Sequence, residues 1–212
     1  MSANETREKI CEAAIRTAAR DGLLAMTLDN VAKEAGVSKG GVMYHFPSKN
    51  DLISGVLTYF GAQVEGMVLK RMAEDPNPRF RWARSMLSCL FPEPSAAQVT
   101  EGALPPELLE NFMLAAIAAA VNNRELIEPL RQVGLRLCQR LLSDPDDGLE
   151  QLLVWLAVDG LFLWQFVGLI RRDEPLYAEI GAALRAKVGL SSASLPSRSE
   201  VGRSVLPEGG NP

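Results

Sequence analysis

Apolar residues recur three and four positions apart along most of this chain of 212 residues, which is the pattern of amphipathic α-helices. The first stripe covers residues 10–18, and the second covers residues 28–35 after the helix-capping residue Thr27. The same spacing predicts further helices over residues 39–46, 49–72, a segment ending near 90, 106–121, 124–142, a segment from 144–148 to about 170, and 174–188. Because no segment alternates as a strand does, we predict an all-α fold.

Proline- and glycine-rich segments separate the predicted helices. Asp75-Pro76-Asn77-Pro78 is a break, and residues 91–105 contain three prolines and are predicted to form a loop. From Ser191 onward the chain is rich in serine, glycine and proline, so residues 191–212 are predicted to be a disordered tail.

Composition excludes several kinds of site. The three cysteines, Cys11, Cys89 and Cys138, lie far apart, and His45 is the single histidine, so a disulfide framework, a cysteine metal clip and a two-imidazole site are all excluded. We expect no cofactor and no metal. The N-terminus lacks the apolar core of a signal peptide, which favours a cytoplasmic protein.

The charge is distributed unevenly. The whole chain has a net charge of −4, but residues 1–50 hold seven Lys/Arg against six Asp/Glu, a net of +1, which leaves −5 for the rest. Bulk charge therefore does not favour nucleic acid, and we expect an anionic partner to meet the first fifty residues.

Residues 27–49 have the pattern of a helix-turn-helix, in which the second helix enters the DNA major groove. Two short helices meet at Gly36, a residue that tolerates positive φ. The second helix has two glycines, Gly40 and Gly41, in its first turn, and each costs ~1 kcal/mol in a helix interior. Such glycines are useful where another backbone must come close, and Ser38 and Lys39 beside them suit a phosphate.

Three more side chains of this segment suit DNA. Tyr44 and His45 can donate to phosphate oxygens or base edges, and Lys49 supplies another phosphate partner. The alternative is that Tyr44 and Phe46 are ordinary core aromatics and His45 an ordinary surface histidine. It is favoured for Phe46, which lies between helices and is expected to pack inside.

Residues 6–52 resemble the DNA-binding domain of TetR/AcrR-type transcriptional regulators. The resemblance is carried by Thr27-Leu28, Val31-Ala32, Ala35-Gly36-Val37-Ser38-Lys39-Gly40 and Tyr44-His45-Phe46-Pro47-Ser48-Lys49. It implies an N-terminal three-helix helix-turn-helix domain followed by a larger helical domain for ligand binding and dimerisation. It also implies that operator DNA meets Thr27, Ser38, Lys39, Gly40, Gly41, Tyr44, His45 and Lys49. Many family members carry tyrosine where this chain has Met43, whose apolar side chain suits a thymine methyl.

The predicted domains follow from this resemblance and from the breaks. Residues 1–50 are assigned to the DNA-binding domain, residues 51–190 to the effector-binding and dimerisation domain, and residues 191–212 to the tail.

The apolar stretch over residues 152–170 has two interpretations. A membrane span is disfavoured by Asp159 at its centre, so we expect a helix with the domain core on one side and a partner subunit on the other, and no membrane association. With the last helix it would form a four-helix dimer interface, for which the candidates are Leu161, Trp164, Leu176, Ile180, Ala183 and Leu184. The alternative is that the last helix merely covers the chain's own core.

Large apolar residues of the C-terminal part are candidates for an effector pocket. They are Trp82, Met86, Phe91, Phe112, Met113, Ile117, Trp155 and Trp164. Asp144, Asp146 and Asp147 are spaced for helix capping rather than for a metal.

The sequence thus favours a ligand-responsive transcriptional regulator that acts as a repressor. As a homodimer it would bind double-stranded palindromic operator DNA, and a small hydrophobic effector would release it. The alternatives are a helical enzyme acting on a hydrophobic small molecule, for which no nucleophile–base pair is visible, and a thiol redox sensor using Cys89 or Cys138.

Overall fold

The structure is a computed structural model that describes residues 2–90 and 105–190. Within these residues the chain is helical and has no strand, as predicted. The helices are α1 (Ala3–Asp21), α2 (Leu28–Ala35), α3 (Lys39–His45), α4 (Lys49–Glu74), α5 (Arg81–Leu90), α6 (Pro106–Asn122), a 3₁₀ turn (Arg124–Ile127), α7 (Glu128–Leu142), α8 (Gly148–Phe166) and α9 (Pro175–Lys187). The predicted loop over residues 91–105 falls almost wholly outside the described residues, and the predicted tail lies entirely outside them.

Two predicted helix boundaries are wrong. The helix predicted over residues 124–142 begins as the 3₁₀ turn, because Pro129 has no N–H to donate to the carbonyl four residues earlier. The helix predicted to reach about residue 170 ends at Phe166, since Gly168 adopts φ 75° and the N–H of Leu169 turns back to the carbonyl of Trp164 at 2.8 Å.

The first compact unit comprises Met1–Arg71 with Gln98–Asp144. Helices α1 to α4 share one core with α6, which packs against α1. Phe112 of α6 is fully buried, and its ring centroid lies 5.0 Å from that of Phe60 on α4. The predicted division at residue 50 is therefore not a packing boundary, and as a functional division it stays a prediction.

The second compact unit comprises Met72–Ala97 with Pro145–Pro212. In its described part, the buried guanidinium of Arg84 donates to Asp75 Oδ2 at 2.7 Å and to the carbonyl of Asn77 at 2.5 Å. It also reaches the carbonyl of Val188, after α9, at 3.5 Å. This residue therefore ties the segment before α5 to the end of α9.

The capping prediction is wrong for Asp147. Its carboxylate is buried and makes no cap hydrogen bond, although the residue occupies the N-cap position of α8. It accepts instead from the backbone N–H of Phe80 at 2.5 Å and from Gln151 Nε2 at 2.5 Å. Phe80 has φ 54°, and its N–H is buried, so the carboxylate satisfies a donor that would otherwise be costly.

Helix α8 has two different apolar faces. One face is buried in its own unit and includes Val154, Val158 and Leu161. Leucines on the other face are exposed. Helices α4 and α8 are long and apolar enough to cross a membrane, but the core helices of soluble proteins pass the same test, so this is weak evidence for a span.

Candidate nucleic-acid interface

The turn between α2 and α3 has the geometry that the sequence predicts. Gly36 adopts the left-handed conformation, with φ 63° and ψ 37°, and its N–H donates to the carbonyl oxygens at the end of α2. Ser38 caps α3 by accepting from the N–H of Gly41 at 3.0 Å. Thr27 caps α2 in the same way, accepting from the N–H of Asn30 at 3.2 Å. Ser38 and Thr27 are both exposed, so their hydroxyl groups are also open to a partner.

Helix α3 is held by one face and presents the other to solvent. Val42 is fully buried, and Phe46 is 2% exposed, which confirms its expected place in the core. Met43 is 45% exposed and Tyr44 81% exposed. The rings of Tyr44 and half-buried His45 meet edge to face with centroids 5.0 Å apart, so the phenol is steadied without being covered.

Nothing inside the chain requires glycine at positions 40 and 41. Neither residue has positive φ. A Cβ on Gly40 would have the Ser38 Oγ at 3.9 Å as its nearest neighbour, and a Cβ on Gly41 would lie 3.4 Å from the same atom, an ordinary contact. Each helical glycine costs ~1 kcal/mol of helix stability, so two of them here point to another molecule whose surface must come close to the backbone of α3.

The two predicted phosphate lysines already have partners in the chain. Lys39 Nζ donates to Asp29 Oδ2 at 2.8 Å, and both side chains stay largely exposed. Lys49 Nζ donates to the carbonyl of Leu24 and so ties the start of α4 to the segment before α2. An ammonium group has three N–H donors, so either lysine can hold its internal partner and still donate to a phosphate.

Ion pairs that the sequence did not indicate hold α2 against α1. Arg16 Nε donates to Glu34 Oε1 at 3.0 Å, and Arg20 reaches the same carboxylate at 3.5 Å. The hydrogen bond from Arg16 lowers the pKa of Glu34 below its usual value. These pairs join residues 14 and 18 positions apart, and the Asp29–Lys39 pair spans 10, which are separations without a local sequence signal.

The predicted effector residues fall into two groups. In the second unit, Trp82 and Met86 are buried, and the Trp82 ring centroid lies 5.0 Å from that of Trp155. Trp164 in that unit is 50% exposed. Phe112 and Met113 belong to the core of the first unit, where Ile117 lines a surface groove of about 640 Å³. Phe91 lies outside the described residues.

The predicted dimer residues are also divided by the structure. Leu161 is 4% exposed and packs with Ile170, Tyr177 and Ile180 in the core of the second unit. Trp164, Leu176 and Ala183 are exposed, and Leu184 is half-buried. Leucines that the prediction left out, Leu149, Leu153, Leu156 and Leu163, are 49–61% exposed on α8.

The described cysteines and acidic residues give no sign of a redox site or a metal site. Cys11 is buried, and burial raises the pKa of its thiol to about 12, so it is not a reactive thiolate. Cys138 is half-buried, and the side chain of Cys89 is outside the described part. Among the described residues no group of three His, Cys, Asp or Glu side chains is arranged to hold a metal ion.

Comparisons with known proteins cover both halves of the chain. Residues 10–56 match the family model for bacterial regulatory proteins of the tetR family, and residues 81–188 match the model for the tetracyclin repressor-like C-terminal domain. The HTH-type transcriptional regulator AcrR of Shigella flexneri is 31% identical over 85 residues, which are 40% of this chain and 40% of that protein. The alignment therefore spans less than half the length of this relative.

Solved structures extend the likeness of the fold to nearly the whole chain. A TetR-family transcriptional regulator from Rhodococcus sp. aligns with a TM-score of 0.64 at 18% identity, covering 88% of this chain and 100% of that one. The multidrug binding protein EbrR complexed with malachite green aligns with a TM-score of 0.58 at 19% identity, covering 87% of this chain and 98% of its own. These matches are to regulators and binding proteins, and they give no support to a helical enzyme.

Proposed function

This chain belongs to the TetR family of DNA-binding transcriptional regulators, and from that premise we propose that it is a ligand-responsive repressor. It binds a palindromic operator as a homodimer, and a small hydrophobic effector in its C-terminal part releases it. Helix α3 of each protomer enters the major groove, and the two copies lie one helical turn of DNA, ~34–36 Å, apart.

The first turn of α3 is the observation that carries the DNA-binding part of this proposal. Gly40 and Gly41 leave the backbone bare where the chain itself has no need of it. Tyr44, the most exposed large residue of this helix, stands one turn further along. A bare backbone lets the helix come close to DNA, and a steadied phenol then donates to a phosphate oxygen or a base edge.

The exposed face of α8 supports the homodimer. Leu149, Leu153, Leu156 and Leu163 follow each other at intervals of four, three and seven residues, which places them on one seam. A continuous apolar seam opposite a buried face is what a helix between its own core and a partner subunit requires. Leu161 is not assigned to this interface, because its side chain packs in the core of the second unit.

The packing of α6 supports a route from effector to DNA. Phe112, Ala116 and Ala119 of α6 are buried in the same core as α1 to α3. Moving α6 would therefore move the base of the helix-turn-helix and change the spacing of the two recognition helices. The effector class is inferred from the aromatic and methionine side chains predicted for its site, of which Phe112 and Met113 lie on α6 itself.

Two substitutions on α3 test the proposed DNA contact. Lys39→Ala and Tyr44→Ala remove exposed groups, so we expect each to weaken binding by ten-fold or more to a duplex selected by the wild-type protein from a random library, without lowering the melting temperature. Lys70→Ala, an exposed lysine of α4, is the control for lost charge. Equal affinity of all four proteins in gel-shift assays at matched salt would contradict the assignment.

A further inference from the structure

Asp29 places a carboxylate on the surface that we assign to DNA, where a negative charge repels phosphate. It is the second residue of α2, and its side chain is 68% exposed. Its Oδ2 accepts from Lys39 Nζ at 2.8 Å, so the pair joins the beginnings of the two helices of the helix-turn-helix. The lysine is the first residue of α3, and its side chain is 54% exposed.

Helix capping does not require this carboxylate. Thr27 and Asn30 already form a complete capping box: the Thr27 hydroxyl accepts from the Asn30 N–H at 3.2 Å, and Asn30 Oδ1 accepts from the Thr27 N–H at 2.7 Å. The first turn of α2 thus has its side-chain acceptor without Asp29, whose carboxylate is engaged with Lys39.

Building on the proposed function, we propose that Asp29 is a specificity-determining residue that acts through Lys39. With the pair intact, the charges of Asp29 and Lys39 cancel at the start of α3, so this region attracts the DNA backbone only weakly, whatever the base sequence. The directional contacts of α3, made by its bare first turn, by Tyr44 and by the remaining N–H groups of the held Lys39 ammonium, do not depend on that net charge. Asp29 therefore suppresses binding to arbitrary DNA more than binding to the operator.

The carboxylate also restricts the lysine. A free lysine has four rotatable carbon–carbon bonds and reaches many phosphates, whereas an ammonium held at Asp29 donates its remaining N–H groups within a narrow range of directions. Both effects act in the same sense, because each reduces contacts that ignore the base sequence.

Asp29→Asn tests the proposal, because it removes the charge and keeps the size of the side chain. Binding is measured by fluorescence anisotropy against a random-sequence duplex and against the duplex that the wild-type protein selects from a random library. We expect affinity for random DNA to rise about three- to ten-fold at 50 mM salt, with a salt slope steeper by up to ~0.9, while affinity for the selected duplex changes less.

Two controls separate this role from a general charge effect. Asp173→Asn breaks an equally exposed pair, with Arg171 at 2.5 Å in the second unit, and changes the net charge by the same amount, so we expect little change in DNA binding. In a Lys39→Gln background, Asp29→Asn should lose most of its effect on random DNA, and a melting temperature within a few degrees of wild type shows that the fold is kept.

The possible outcomes distinguish a failure of this inference from a failure of the proposed function on which it rests. The role of Asp29 would be overturned, with DNA binding left in place, by any of three results. Asp29→Asn could raise the affinity for both duplexes equally, Asp173→Asn could raise the affinity for random DNA as much as Asp29→Asn does, or the effect of Asp29→Asn could persist undiminished in the Lys39→Gln background. Failure of the wild-type protein to retain any duplex would contradict the proposed function itself, and the inference with it.

Discussion

The ring of Phe46 occupies the space that a side chain on Gly55 would need. A Cβ on Gly55 would overlap Phe46 Cε1 and lie 3.1 Å from Cδ1, so the glycine of α4 is what lets Phe46, directly after α3, pack inside. The guanidinium of Arg7 lies 5.2 Å from the centre of the same ring and covers it from α1. The position of α3 thus depends on a contact between α4 and Phe46, the residue that follows α3.

Replacing this glycine is expected to destabilise the protein. In Gly55→Ala the added methyl group has to displace a buried ring, at a cost of about 1–3 kcal/mol in the free energy of unfolding measured with urea. Gly66→Ala in the same helix is the control, because nothing lies within 4 Å of a Cβ there, and we expect it to stabilise by up to ~1 kcal/mol. Equal effects of the two substitutions would contradict this account of Phe46.

The oligomeric state depends on the exposed seam of α8. Leu156→Glu places a charge where two protomers are proposed to meet, so we expect the dimer dissociation constant to rise at least ~100-fold in sedimentation experiments. Val121→Glu on α6, an even more exposed apolar position at 82%, should leave the dimer unchanged. A wild-type monomer, or dissociation in the control as well, would contradict the interface.

Asp159, on α8, makes the stability of the folded chain depend on pH. Partial burial raises the pKa of its carboxyl from 3.8 to about 6, against a smaller lowering by the hydrogen bond with Trp155. The folded chain therefore favours the protonated acid, and this contribution to stability is fully present below pH 3.8 and is lost as the pH rises through 6.

Asp159→Asn removes this dependence. Because Asp159 is exposed to solvent, screening keeps the effect small: we expect the melting temperature of the variant to exceed that of the wild type by about 2–4 °C above pH 7. The two melting temperatures should converge near pH 4. A difference that stays constant from pH 4 to 8 would contradict the assignment.

The sequence predicts the fold and the helix-turn-helix well, because their signals are local. Gly36 marks a left-handed turn, Thr27 and Ser38 mark helix starts, and their hydrogen bonds are formed as expected. The burial of Phe46 also follows from its place between two helices. Each of these features depends on residues within a few positions of one another.

The features that the sequence did not reveal depend on distant residues. Nothing local marks Asp29 as the partner of Lys39, and Asp147 looked like a helix cap until Phe80, 67 positions earlier, provided a buried N–H for its carboxylate. The same holds for Leu161, whose apolar side chain suits a core as well as an interface until its neighbours are known.

The central claim is that the bare first turn of α3 lies against DNA, and Gly40→Ala tests it most directly. The chain has room for the added methyl group, whose nearest neighbour would be the Ser38 Oγ at 3.9 Å, so the melting temperature should stay the same or rise. The same is expected of Gly134→Ala in α7, where a Cβ meets nothing within 4 Å. Affinity for the selected duplex, measured by fluorescence anisotropy at matched salt, should fall at least about ten-fold in Gly40→Ala and not at all in Gly134→Ala. Unchanged affinity of a fully folded Gly40→Ala protein would contradict the claim.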